Sequence, residues 1–165
     1  NQTILATKAV AEHKGAVYLR LHRVKSTQIT PLKDKFEIGK AQILQKGERL
    51  TIIGCGPILN EVLSAVKELN FKPEVINCHT IKPLDDKTIL NSVKKTRNVL
   101  VVQDHQIIGG LGSAVAELLS REFPARVEVL GMQDKFGESG KPAELWEKYG
   151  LSAKGIVKRI KEICS

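Results

Sequence analysis

Asp104 and His105 stand side by side after the apolar run Val99-Leu100-Val101-Val102, and Gly109, Gly110 and Gly112 follow within one short loop. A carboxylate beside an imidazole can fix the ring tautomer for acid–base work. Glycines that open a helix can aim backbone N–H groups at an anion. Each feature also has a plainer use, as a structural loop histidine or as a tight turn that lets a helix pack close to a sheet. Gly54-x-Gly56, after an earlier apolar run, poses the same choice. Neither glycine set completes a nucleotide motif. A dinucleotide fingerprint needs a third glycine and an acidic residue about 20 positions on, where this chain has Asn77-Cys78-His79. The second set lacks the Lys-Ser/Thr that closes a P-loop. Arg20 and Arg23 end an alternating run, Val17, Leu19 and Leu21, and can grip a phosphate on two oxygens. An inter-domain ion pair is the alternative.

His13, His22 and His79 have no partner spacing that suggests a metal. Cys55, Cys78 and Cys164 are far apart, without the pairing of a zinc site or the density of a disulfide scaffold. All three read as reduced thiols, and Cys55 and Cys78, each at the end of a predicted strand, as small buried hydrophobes.

The elements that must position these groups alternate. Ile4, Leu5, Ala9, Val10 and Ala11 recur at helical spacing before Gly15, in a helix cut at its start. Ala16–Leu21 alternates as a strand whose sheet is missing. Residues 24–40 are polar and basic, with Pro31, in the manner of an inter-domain connector. Ala41–Gln45 and Leu50–Ile53 predict a hairpin turning at Lys46–Arg49. Ile58, Leu59, Val62, Leu63, Val66 and Leu69 then share a helical face. Glu74–Cys78 is the next strand, Asp86 caps the helix after it, and Val99–Val102 is a strand buried on both faces. A helix over about 112–122, a strand over 126–130, and helices around 142–149 and 152–164 complete the pattern. This predicts an α/β fold: a three-layer, open, mostly parallel sheet with one antiparallel edge strand. Ligands in such sheets gather at the carboxyl ends of the strands.

The 165 residues allow one globular domain and a smaller appendage. No apolar run reaches the ~20 residues of a membrane span, and the first residues lack a secretory pattern, so the expected address is cytoplasmic. The net charge of +8 invites a nucleic-acid reading. Its distribution opposes one: residues 1–49 hold 10 Lys and Arg against 4 Asp and Glu, while residues 50–165 hold 16 against 14. Aromatic residues, 4% of the chain, do not interleave with the basic ones to form a stacking platform.

Three blocks then fall into one order: Thr80-Ile81-Lys82-Pro83-Leu84-Asp85, Asp104-His105 with Gly109-Gly110, and Ser139-Gly140-Lys141-Pro142-Ala143-Glu144-Leu145. Together they resemble the C-terminal third of transketolases, and residues 36–165 are similar to that domain along essentially its whole length. The first two blocks are shared with deoxyxylulose-phosphate synthases and, more loosely, the β subunits of 2-oxoacid dehydrogenases. The third resembles transketolases closely. Lys14–Arg23 looks like the end of the transketolase pyrimidine-binding domain, whose second arginine contacts the sugar phosphate; the resemblance carries that role onto Arg23.

The resemblance implies three parts: residues 1–30 as the tail of a pyrimidine-binding domain, 31–40 as a linker, and 41–165 as the C-terminal domain. It implies ketol transfer between sugar phosphates on thiamine diphosphate with a divalent cation, Mg or Ca, in the complete enzyme. The family's Gly-Asp-Gly signature for the diphosphate and the segment with the activating glutamate are both absent from this sequence. The chain alone is therefore expected to bind no cofactor or metal and to be inactive. The expected partners are a second copy in a homodimer, or the missing N-terminal domains or subunit, with no nucleic acid and no membrane. The alternatives are the corresponding part of another thiamine-diphosphate enzyme, and a freestanding dimerisation module holding an anion at Gly109-Gly110-x-Gly112.

Overall fold

Strands that are apolar on both faces need helices on both sides, and this requirement shapes the chain. The structure, a computed structural model, describes residues 1–22, 27–31 and 34–164. After α1 (Gln2–Glu12), the order is β1 (Gln42–Gln45), β2 (Thr51–Gly54), α2 (Leu59–Ala65), β3 (Glu74–Asn77), α3 (Asp86–Thr96), β4 (Asn98–Gln106), α4 (Leu111–Glu122), β5 (Arg126–Met132), α5 (Pro142–Lys148) and α6 (Ala153–Cys164).

The five strands form one sheet in the order β1-β3-β2-β4-β5. Pairing is parallel except at β1, which runs antiparallel to β3. The period-two alternation of β4 sorts its residues between two cores. Leu100 and Val102 join Leu50, Ile52 and Val75 beneath α2 and α6. Val99 and Val101 join Ile53 and Ile76 beneath α3 and α4. The expected three layers and antiparallel edge are present.

Two local expectations fail. The segments Ala41–Gln45 and Leu50–Ile53 are strands but not a hairpin. β2 is buried along its whole length and takes a parallel neighbour on each side, β3 and β4, which leaves β1 only the outer edge of β3. The connection is held there, with the Glu48 N–H donating to the Lys72 carbonyl at 2.8 Å and the Gln45 Nε2 to the Pro73 carbonyl at 2.8 Å. The run 16–21 belongs to no strand. An extended segment needs a ladder partner for its N–H and C=O groups, and among the described residues none is offered; Tyr18 is 88% exposed and Leu21 53%.

A third expectation shifts by one residue. Asp85, not Asp86, caps α3, its carboxylate accepting from the Thr88 N–H at 3.1 Å and the Thr88 hydroxyl at 2.8 Å. It also accepts from the Ala41 N–H at 2.9 Å, so one buried carboxylate joins the entry to β1 to the start of α3. Burial pushes this carboxyl up, but those hydrogen bonds and the charge of Lys40 outweigh it and hold it below the usual range.

Polar contacts tie the residue before α1 and the segment before β1 to each other and to the first residue of β1. Asn1 Nδ2 donates to the Thr30 carbonyl at 3.0 Å, the Thr30 hydroxyl to Gln42 Oε1 at 3.4 Å, and Gln42 Nε2 to Asp34 Oδ2 at 2.5 Å. Among the described residues, no helix is long and apolar enough to cross a membrane.

Candidate functional site

In an open parallel sheet, the chain leaves neighbouring strands in opposite directions at one point, and the crevice there is the usual ligand seat. Here that point lies between β2 and β4, because β2 leads outward to β3 and β4 leads outward to β5. The carboxyl ends bring together Gly54-Cys55-Gly56 from β2 and Asp104-His105 from β4, with Asn77-Cys78-His79 on the far side of β2. The charges of Asp104 and Arg20 both act on Cys55, which places Arg20 within electrostatic reach of this edge. Arg23 lies outside the described residues.

His105 Nδ1 is 2.7 Å from Asp104 Oδ1. Both ring nitrogens are shielded from solvent and neither makes an aligned hydrogen bond among the described residues. The pair is thus close in space but lacks the alignment that would fix the imidazole for proton transfer.

The glycine loop closes on its own side chains. Gln103 Oε1, buried within β4, accepts from the Gly112 N–H at 2.8 Å, and its Nε2 donates to the Gln106 carbonyl. The Ser113 hydroxyl oxygen accepts from the Gly109 N–H at 2.9 Å. A Cβ at Gly110 would sit 2.5 Å from Gln103 Nε2, and one at Gly112 would sit 2.6 Å from a methyl of Val129. Gly109 has φ +73°, the left-handed region that a glycine adopts freely. Two of the N–H groups that an anion would use at the start of α4 are therefore already taken by the chain. Gln103 escaped sequence reasoning; its signal is a carboxamide that directly follows the four apolar residues Val99–Val102 and stays buried.

The other polar groups at this edge serve packing. His79 stacks on Phe36 with ring centroids 4.3 Å apart, and its Nδ1 lies 3.1 Å from the Thr80 hydroxyl. Burial pushes this imidazole below its usual value, against the opposing charge of Asp85. Burial also pushes the Cys55 thiol up to about 11, and the Cys78 thiol up to about 12. Asn77 is fully buried, and its carboxamide has no hydrogen-bond partner among the described residues.

A thiamine diphosphate needs a cation to neutralise its diphosphate and a carboxylate on its aminopyrimidine. Among the described residues, no three His, Cys, Asp or Glu side chains converge so as to hold a metal ion. The donor set at this edge does not fit the cofactor.

Comparison with known proteins gives a consistent relationship. A family model described as the transketolase C-terminal domain matches residues 39–156. The 6-deoxy-6-sulfo-D-fructose transketolase subunit SqwH of Clostridium sp. (strain MSTE9) is 40% identical over 157 residues, covering 93% of this chain and 49% of that protein. A 1-deoxy-D-xylulose-5-phosphate synthase of Desulfitobacterium hafniense is 37% identical over 156 residues, covering 90% of this chain and 25% of that enzyme. The solved structure of a split-gene transketolase, an inactive beta4 tetramer, superposes with a TM-score of 0.94 at 37% identity, over 99% of this chain and 55% of that one. This chain therefore spans about half the length of the Clostridium subunit and about a quarter of the synthase.

Proposed function

The chain belongs to the transketolase C-terminal domain family, and from that premise we propose that it is the supporting end of a transketolase that moves a two-carbon ketol unit between sugar phosphates in the cytoplasm. The single observation that carries this reading is the near-complete superposition on a chain of a split-gene transketolase, at 37% identity. Residues 1–30 are assigned to the tail of the pyrimidine-binding domain, 31–40 to the linker and 41–165 to the C-terminal domain. Thiamine diphosphate and its divalent cation belong to parts of the enzyme outside this chain, where the cofactor supplies the carbanion chemistry.

The role left to this chain is to assemble and to grip. Assembly is with a second copy, or with the section that carries the cofactor-binding domains. Two exposed apolar groups of residues suit such contacts: Ile4, Val17, Tyr18 and Leu21 before the connector, and Ile108 with Phe136 in the loops after β4 and β5. The grip is assigned to Arg23, whose fork of N–H donors can hold two oxygens of a substrate phosphate. A sulfonate is also a tetrahedral oxyanion, so the same arginine suits a sulfonated ketose of the kind named in the Clostridium subunit.

The test is reassembly. The chain, joined to its amino-terminal section and supplied with thiamine diphosphate and Mg2+, is expected to transfer a ketol unit from a ketose phosphate to ribose 5-phosphate, and the chain alone to transfer none. Arg23→Ala in the assembled enzyme should raise KM for the phosphorylated substrate about 10- to 100-fold, the equivalent of one charge-assisted hydrogen bond. Turnover by the chain alone, or decarboxylation of pyruvate by the assembled enzyme in place of ketol transfer, would overturn the reading.

A further inference from the structure

Cys55 and Cys78 leave neighbouring strands at the same level. Gly54 of β2 is in parallel register with Asn77 of β3, and the Cys78 N–H donates to the Gly54 carbonyl at 2.8 Å. Cys55 remains extended, with φ −144° and ψ 147°, before the chain turns at Gly56. The next residues to face each other across the two strands are therefore the two cysteines. Side chains alternate between sheet faces, so both follow Ile53 and Ile76 onto the α3/α4 side, and both pack in the apolar cluster there. Adjacent strands lie about 4.8 Å apart, inside the ~4.4–6.8 Å range of Cα separations that disulfides span. Both thiols are free.

We infer that Cys55 and Cys78 form a reversible redox modification site, which a peroxide closes to a disulfide bridging the carboxyl ends of β2 and β3. Cys55 is the more accessible of the two and reacts first. Its thiolate sulfur attacks one peroxide oxygen and the O–O bond breaks. The departing hydroxide takes up a proton and leaves as water, with Cys55 now a sulfenic acid. The Cys78 sulfur then attacks the Cys55 sulfur, the S–S bond forms and the S–O bond breaks, and the second hydroxide leaves as water with the Cys78 thiol proton. Two thiols and one hydrogen peroxide thus give one disulfide and two waters. In the reduced form, the Cys78 thiol points to the Thr80 carbonyl at 3.4 Å.

The same burial that holds the pair together makes it slow. Cys55 feels desolvation first, then the Asp104 charge, with Arg20 opposing; Cys78 feels desolvation, then Cys55 and Asp85. Thiolate is therefore scarce near pH 7, and closure should quicken about tenfold per pH unit on the alkaline side. The bridge joins strands that are already neighbours, so it leaves the sheet register as it is and ties the Gly54–Gly56 turn to the start of the loop from His79 to Asp85. The inference stands independently of the proposed function.

The experiment is peroxide treatment of the whole protein, followed by denaturation, alkylation and non-reducing peptide mass analysis, with circular dichroism to show that each sample is folded. The expected result is loss of two of the three titratable thiols, a Cys55–Cys78 linked peptide two hydrogens lighter than its parts, and recovery of all three thiols with dithiothreitol. Cys164→Ser should keep the linked peptide, and Cys55→Ser should abolish it. Persistence of all three thiols, a bridge to Cys164, or Cys55 oxidised to sulfinic acid beside an intact Cys78 would each overturn the inference.

Discussion

Residues 1–22 and residues 41–164 both carry apolar side chains at regular spacing, yet the second region buries most of its own and the first almost none. In the sheet domain, the successive β4 residues Val99, Leu100, Val101 and Val102 are fully buried, two toward each helical layer. In the leading segment, α1 buries only Ala6, while Ile4, Val17, Tyr18 and Leu21 remain exposed. The difference lies in partners, because burial is worth roughly 25 cal/mol per Å2 only when another surface is present to supply it. One region carries its own counterpart, and the other, in the assembly proposed above, offers its apolar side chains to a partner.

The sharpest way to break this contrast is to cut into the buried side. Leu100→Ala removes a fully enclosed side chain from the cluster under α2 and α6 and should cost about 2–5 kcal/mol in urea unfolding; a loss below 1 kcal/mol would mean that the core is not packed as described. Gly112→Ala comes next. Its new methyl meets Val129 at 2.6 Å and should cost about 1–3 kcal/mol through overpacking, read in the same unfolding curves.

Asp85 sharpens the contrast from the side of charge. Asp85→Ala removes a helix cap and the tie to Ala41, worth about 1–2 kcal/mol near neutral pH. Its folded carboxyl titrates below the unfolded one, as does that of Glu74. There burial raises the value, but the Lys95, Ser92 and Gly47 hydrogen bonds with the Lys95 charge bring it down overall. Each therefore contributes stability that is complete above about pH 5 and is lost as pH falls through the lowered folded value. Asp85→Asn should flatten the acid limb of a stability–pH profile, and an unchanged limb would remove Asp85 from this account.

The smallest effect belongs to the exposed side. Tyr18→Ala should change the stability of the isolated chain by less than about 0.5 kcal/mol while weakening, in an ultracentrifuge titration, association with the amino-terminal section proposed above. A large loss of stability in the isolated chain would place Tyr18 against a partner within it.

What the sequence made readable follows the same division. The alternation of helix and strand and the double-sided burial of Val99–Val102 follow from local periodicity, which reports how many faces a segment buries; the antiparallel edge was expected from a hairpin, and it arises instead from β1 pairing with β3. Periodicity does not report neighbours. Ala41–Gln45 and Leu50–Ile53 were therefore readable as strands, but not as strands separated by β3. Ala16–Leu21 has the alternation of a strand and lacks a ladder among the described residues. The choice between Asp85 and Asp86 depends on one residue of helix phase, which two adjacent aspartates leave open. At the candidate site, the motif was visible while the occupancy of the Gly112 N–H by Gln103 was not, because that contact is set by tertiary packing across β4 and α4.

The placing of β1 against β3 has a consequence for how the molecule is made. The strand synthesised first has no seat until a later strand has left the ribosome, so during translation it must wait as an unpaired ribbon while the centre of the sheet assembles. A stall or a nick between them would strand that ribbon outside an otherwise finished fold, and the short polar ends of β1, Gln42 and Gln45, suit a segment that has to stay in water until its place opens.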